Sequence, residues 1–203
     1  QDRSITVGKD TYDLPAFSFA MATMNPVELG QGTFPLSEAA TDRFAAMINV
    51  GYLPPDQEER LVEFDFKQMR LRPILSKQRI IGLRATIGSR VFLHRSLGRY
   101  IQRLVAATRP YNADTDWRHR SPSELVERGV DLGASPRAII AWSRLAKVWA
   151  LLQGERAEVY PEDIQALAPY VLGHRIWLGP HAASHGLTID DVIRDVVERV
   201  PIP

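Results

Sequence analysis

Residues 17–44 read FSFAMATMNPVELGQGTFPLSEAATDRF. Phe17 to Thr23 carries no charge and mixes apolar with small side chains, between Pro15 on one side and Asn25-Pro26 on the other. Such a run reads as a strand buried on both faces of a mostly parallel sheet. Asn25 then falls at its C-terminal edge, where open α/β sheets bind their ligands. A Gly/Pro-rich crossing (Gly30, Gly32, Pro35) leads to a helix start at Glu38, and Arg43 closes the AATDR run. Working outward, Ile5–Val7, Gly8-Lys9-Asp10 and Thr11–Leu14 read as a β-hairpin. On the other side, MINVGY at 47–52 reads as a second buried strand stopped by Pro54-Pro55. The acids that follow open a helix over 56–66.

Past Arg72-Pro73 the pattern turns helical throughout. Ser76 is placed to cap a helix with Ile80, Leu83, Ile87 and Val91 on one face. The next helix is expected to bury Leu93, Leu97, Ile101, Leu104 and Val105, with Arg95, Arg99 and Arg103 repeating every fourth residue as a basic stripe. A short helix is expected at 122–128. In Gly133-Ala134-Ser135-Pro136-Arg137-Ala138, Ser135 suits an N-cap and Pro136 the first helical position. That puts Arg137 on the first turn of a long helix, with Ile140, Leu145, Val148 and Leu152 expected inward and Gly154 ending it. Pro161-Glu162-Asp163 starts another, which Pro169 should kink. Thr188-x-x-Asp191 is a capping box opening a last amphipathic helix.

Composition is that of an ordinary globular chain, with 45% hydrophobic and 24% charged residues, and no apolar run long enough for a bilayer. Nothing at the start reads as a signal peptide. The absence of cysteine excludes disulfides and thiolate chemistry and suits the cytoplasm. A net charge of +1 conceals segregation: residues 67–109 hold 11 Lys/Arg and no acid, while residues 1–66 hold 4 Lys/Arg against 11 acids. Such a block marks a charged contact surface. The five histidines suggest no metal centre. His181 and His185 are four apart but lie between Gly179-Pro180 and Gly186, in an expected loop with no carboxylate between them.

The opening stretch resembles the MoxR family of AAA+ ATPases, whose sensor strand ends A-T-x-N-P before a T-[FY]-P-L-x-E-A-x-x-D-R-F segment. Ala22-Thr23-Met24-Asn25-Pro26 and Thr33 through Phe44 fit both patterns without a gap. The hexapeptide at 133–138 is similar to that family's sensor 2 motif, and VYPEDIQALAPYVLGHRI at 159–176 is similar to its lid. The resemblance implies that Asn25 is the sensor 1 residue orienting the attacking water. It implies that Arg43 is the arginine finger reaching a neighbouring subunit's γ-phosphate, and that Arg137 contacts the nucleotide phosphates of its own subunit. Read alone, Asn25-Pro26 is a turn ending a strand, and Arg43 and Arg137 are surface arginines. The joint match outweighs those readings. Where the family shows glutamates after P-[VI]-L-S, this chain has Lys77-Gln78-Arg79.

No G-x-x-x-x-G-K-[ST] occurs in the 203 residues, and no apolar strand ends in paired acids. The expected fold is therefore an α/β core fragment followed by an all-α lid, mostly helical overall: the C-terminal part of an AAA+ (P-loop NTPase) module. Residues 1–72 would be the end of the core and 73–203 the lid with sensor 2. The closing RVPIP is family-like, so the C-terminus is expected to be complete. The expected function is ATP binding and hydrolysis by a parent ATPase with a chaperone-like remodelling role, using ATP/ADP and Mg2+, with no Mg2+ ligands in this stretch. The parent is expected to form a ring, a hexamer by family habit, acting on a protein client, an acidic one being an option. The stretch alone is expected to be inactive. The alternatives are a non-catalytic protein-docking module and, ranked last, a nucleic-acid binder using the basic block, which has only Phe92 and Tyr100 for stacking.

Overall fold

β1 (Ser4–Val7) and β2 (Asp10–Asp13) form the antiparallel hairpin, Ser4 opposite Asp13, with Gly8 at φ +67° in the connecting turn. This conformation favours glycine, which has no Cβ to clash. The computed structural model describes residues 4–15, 17–24, 36–65, 68–110 and 123–203. Asn25 and the crossing to Pro35 lie outside the described residues.

The two expected buried strands are not found. Residues 17–24 and 47–52 carry no strand ladder, and Tyr52 is 99% exposed. A strand exists only through a neighbour that takes its N–H and C=O groups. Met47 N reaches the Tyr170 carbonyl, but no described strand lies beside either run, and Phe19, Met21, Ile48 and Val50 are left exposed. Two short helices stand in this part, α1 (Glu38–Thr41) and α2 (Pro55–Glu59). The helix expected at 56–66 ends early, α2 passing into a 3-10 turn at Arg60–Glu63.

The remaining elements are α3 (Lys77–Arg90), α4 (Arg95–Ala107), α5 (Glu124–Gly129), β3 (Val130–Leu132), α6 (Arg137–Leu152), α7 (Pro161–Leu172), β4 (Trp177–Leu178), α8 (Pro180–Ser184) and α9 (Ile189–Arg199). β3 and β4 pair antiparallel. Among the described residues, every buried apolar side chain lies between Val91 and Val200. The core thus belongs to the helical part alone. The expected caps form: Ser76 Oγ accepts from Arg79 N, and Thr188 and Asp191 exchange both bonds of their box. α8 occupies the region expected to be a loop around His181.

α4 buries Leu97, Ile101, Leu104 and Val105 as expected, with Leu93 half-buried. It also buries Tyr100, whose hydroxyl accepts from Gln165 Nε2 at 3.1 Å. The basic stripe is not one solvated face: Arg95 and Arg99 are exposed, but Arg103 Nη2 donates to the Pro201 carbonyl at 3.0 Å. α3 has no fully buried residue; Ile80 and Ile87 are half-buried and Leu83 is exposed.

α6 buries a different face from the one expected, and of the four residues expected inward Leu145 packs half-buried against the core. Ala138, Trp142, Ala146 and Ala150 point into the core, while Ile140, Val148 and Leu152 are exposed. Small side chains at four-residue spacing let α7 approach closely, and Trp142 fills the space between, its indole N–H donating to the Ile164 carbonyl at 3.0 Å. α7 continues through Pro169 to Leu172 as a single helix.

Candidate functional site

The N-terminus of α6 is set by its preceding loop. Thr108, at the end of α4, accepts Ala134 N through its hydroxyl at 2.9 Å, and Arg109 Nε donates to the Ala134 carbonyl at 2.8 Å. Gly133 packs so tightly here that an added Cβ would lie 2.6 Å from the Thr108 carbonyl carbon and 2.8 Å from Arg109 Cα. Ser135 follows, its hydroxyl accepting Arg137 N at 3.1 Å. The N-cap is assigned to Pro136, one residue later than expected, within the usual spread of helix ends.

That loop meets the turn after α1. The Ser135 hydroxyl lies 2.8 Å from both carboxylate oxygens of Asp42, and Arg137 Nη1 donates to Asp42 Oδ2 at 3.0 Å. From the opposite side Arg175, just past α7, donates through Nε to Asp42 Oδ1 at 3.1 Å. The rest of the Arg175 guanidinium is engaged by carbonyls: Nη2 on Asp42 and Phe44, and Nη1 on Ala45 and Val171. All five of its N–H donors are used. His174 adds a bond from Nε2 to the Phe44 carbonyl at 3.1 Å, and Met47 N donates to the Tyr170 carbonyl at 2.9 Å.

Exposure separates the partners. The Arg175 side chain is 1% exposed, Asp42 14% and Arg137 43%. Burial pushes the Asp42 carboxyl up, but hydrogen bonds from Arg137, Ser135 and Arg175 outweigh it and hold the group below its ordinary value. His174 is pushed down by burial and by the Arg175 charge beside it, while its Nε2 donates to the Phe44 carbonyl. The described residues include no group of three or more side chains that could hold a metal ion.

Of the three residues singled out from sequence, Arg43 and Arg137 lie on either side of Asp42: one next to it in the chain, the other paired with its carboxylate. Arg43 is exposed, and no described carboxylate pairs with it. Asn25 lies outside the described residues. Asp42, His174 and Arg175 were not singled out. Asp42 passes in sequence for a local partner of Arg43, and its true partners stand 93 to 133 positions away.

Residues 1–46 match the model of the ATPase family associated with various cellular activities (AAA), and residues 123–196 match that of the AAA lid domain. Both matched stretches meet at the Asp42 cluster. The chain is 34% identical over its whole length to Chaperone MoxR1 of Mycobacterium tuberculosis and 32% identical to Protein MoxR of Methylorubrum extorquens, covering 52% and 60% of them. The chain belongs to the MoxR family of AAA+ ATPases. It is also 34% identical to the uncharacterized protein YeaC of Bacillus subtilis, of which it covers 58%. A crystal structure of a candidate ATPase from Cytophaga hutchinsonii shares the fold, with a TM-score of 0.81 at 34% identity over 99% of this chain and 59% of that one. The chain thus spans little more than half the length of the MoxR-type relatives it matches. Among its described residues, no helix is long and apolar enough to cross a membrane.

Proposed function

We propose that this stretch is the C-terminal part of a ring-forming MoxR-type ATPase that couples ATP hydrolysis to remodelling of a protein client in the cytoplasm. Residues 1–72 are the end of the α/β core and 73–203 the helical lid. In this reading Asn25 orients the attacking water, Arg137 contacts the phosphates of its own subunit, and Arg43 reaches the γ-phosphate held next door in a hexamer. The observation that carries the reading is the Asp42 cluster, where the Arg43 turn and the Arg137 helix start are held together by hydrogen bonds to one carboxylate.

The donor set suits a polyphosphate. Arg137 is half-exposed and uses one N–H on Asp42, and Arg43 is exposed. Guanidinium forks with donors to spare fit phosphate oxygens, through charge-assisted bonds stronger than neutral ones. ATP supplies the transferable phosphoryl group, and its Mg2+ neutralises charge on the phosphate oxygens. This chain's residues orient and stabilise; the phosphate-cradling loop and the Mg2+ ligands belong to the preceding part of the parent. The 203 residues alone are therefore expected neither to bind ATP tightly nor to hydrolyse it.

The test is Arg43→Ala in the full-length protein. An in-trans arginine is worth about 10³ to 10⁵ in rate, so turnover should fall by that order with nucleotide affinity nearly intact. Lost affinity with unchanged turnover would refute the role.

A further inference from the structure

We infer that Asp42 is a parking site for Arg137: nucleotide phosphate and the Asp42 carboxylate compete for the same guanidinium, and the exchange loosens the turn bearing Arg43. The inference rests on the reading of Arg137 as a phosphate contact and adds to it a residue, Asp42, that positions without touching nucleotide.

The cluster is built asymmetrically. Arg175 is fully enclosed, with five donors on five acceptors, four of them carbonyls, so it cannot move without stranding several buried polar groups. Asp42 is fixed by that partner and by the Ser135 hydroxyl. Arg137 is held at its tip by one N–H on Oδ2, with its side chain nearly half in solvent. It is the partner that can leave. When it leaves, Asp42 keeps two of its three long-range partners, so the cluster survives with one restraint fewer on the residue next to Arg43. A ligand shifts such an equilibrium only by its different affinity for the two states, and a phosphate binds the released arginine, clear of the Asp42 charge, more tightly than the paired one. The occupancy of one subunit's site is thereby reported to the arginine that serves the next.

Competition has a signature that a purely structural role lacks. In the full-length protein, Asp42→Asn keeps an oxygen for Arg175 but presents no charge to Arg137. ADP affinity should then tighten by about twofold to fivefold, the size expected for losing a partly exposed ion pair that masks the binding state. In an Arg137→Ala background, the same substitution should leave ADP affinity unchanged. Unchanged or weaker affinity in Asp42→Asn, with Arg137→Ala weakening it, overturns the inference and leaves the function standing. No effect of Arg137→Ala on affinity overturns both. The wild-type protein supplies an independent arm should Asp42→Asn fold poorly: guanidinium NMR resonances, with Arg137 assigned by loss in Arg137→Lys, titrated with ADP. Movement of the Arg137 signal on saturation supports release from Asp42, and a signal fixed through saturation overturns it.

Discussion

Arg175 and Asp42 pair across 133 residues of sequence, Nε to Oδ1 at 3.1 Å, and the same guanidinium also binds the Asp42 carbonyl. One side chain at the end of α7 therefore holds both the side chain and the backbone of the turn that carries Arg43. The pair stands between the segment matching the AAA family and the segment matching its lid, and it joins them as a single hydrogen-bonded unit.

Removing Arg175 strands what it satisfies. Arg175→Ala leaves the carbonyls of Phe44, Ala45 and Val171 without that donor, and should cost about 3 to 5 kcal/mol, the range for breaking a buried pair from one side. Arg175→Lys should recover only part, since an ammonium has three donors in place of a planar fork. Urea unfolding of the wild type and both variants measures the difference.

Gly133→Ala should destabilise by about 1 to 3 kcal/mol, because its Cβ meets fixed backbone at Thr108 and Arg109 with no side chain able to yield. The strain falls on the loop that sets Ser135 and Arg137. In the parent enzyme the same variant should weaken nucleotide binding, whereas Gly88→Ala, at an open position inside α3, should stabilise by about 0.5 to 1 kcal/mol and leave binding unchanged.

The face of α6 gives a contrast between two large residues. Trp142→Ala should cost about 3 to 5 kcal/mol, since the indole is wholly buried and bonded to Ile164. Ile140→Ala should stay within about 0.5 kcal/mol, being half exposed. A larger loss at Ile140 than at Trp142 would mean that the assigned face is wrong.

Acid should loosen the junction in two steps. His174 titrates below its ordinary 6.5 in the folded chain, so the unfolded chain binds more protons and stability falls as pH drops below about that value. Asp42 is held below 3.8, so its contribution is present above that value and is lost as pH falls through the still lower folded value. Melting temperature should therefore decline as pH falls below about 6.5 and again as it falls below about 3.8. His174→Gln, which retains a donor for Phe44, should flatten the first decline and keep the second.

Much of this was legible in the sequence because it is local. The caps at Ser76 and Thr188, the hairpin around Gly8 and the inward face of α4 follow from spacing over a few residues. What failed depended on partners distant in the chain. The runs at 17–23 and 47–52 have strand composition, but a strand needs a neighbour and the described residues provide none. The large aliphatics of α6 suggested its core face, yet alanines lie there because α7 comes close. Asp42 and Arg175 stood inside quoted motifs without drawing notice, since no local spacing shows that one binds the other.

The most direct test of the central claim is subunit mixing in the full-length protein. Arg43→Ala subunits retain their own site but lend no arginine; Asn25→Ala subunits have an impaired site but still lend Arg43. Each should be nearly inactive alone. If Arg43 acts on the neighbour's nucleotide, an equimolar mixed ring should hydrolyse ATP well above either parent, through sites that pair an intact Asn25 with a borrowed Arg43. An activity equal to the mean of the two parents, in rings shown to exchange subunits, would contradict it.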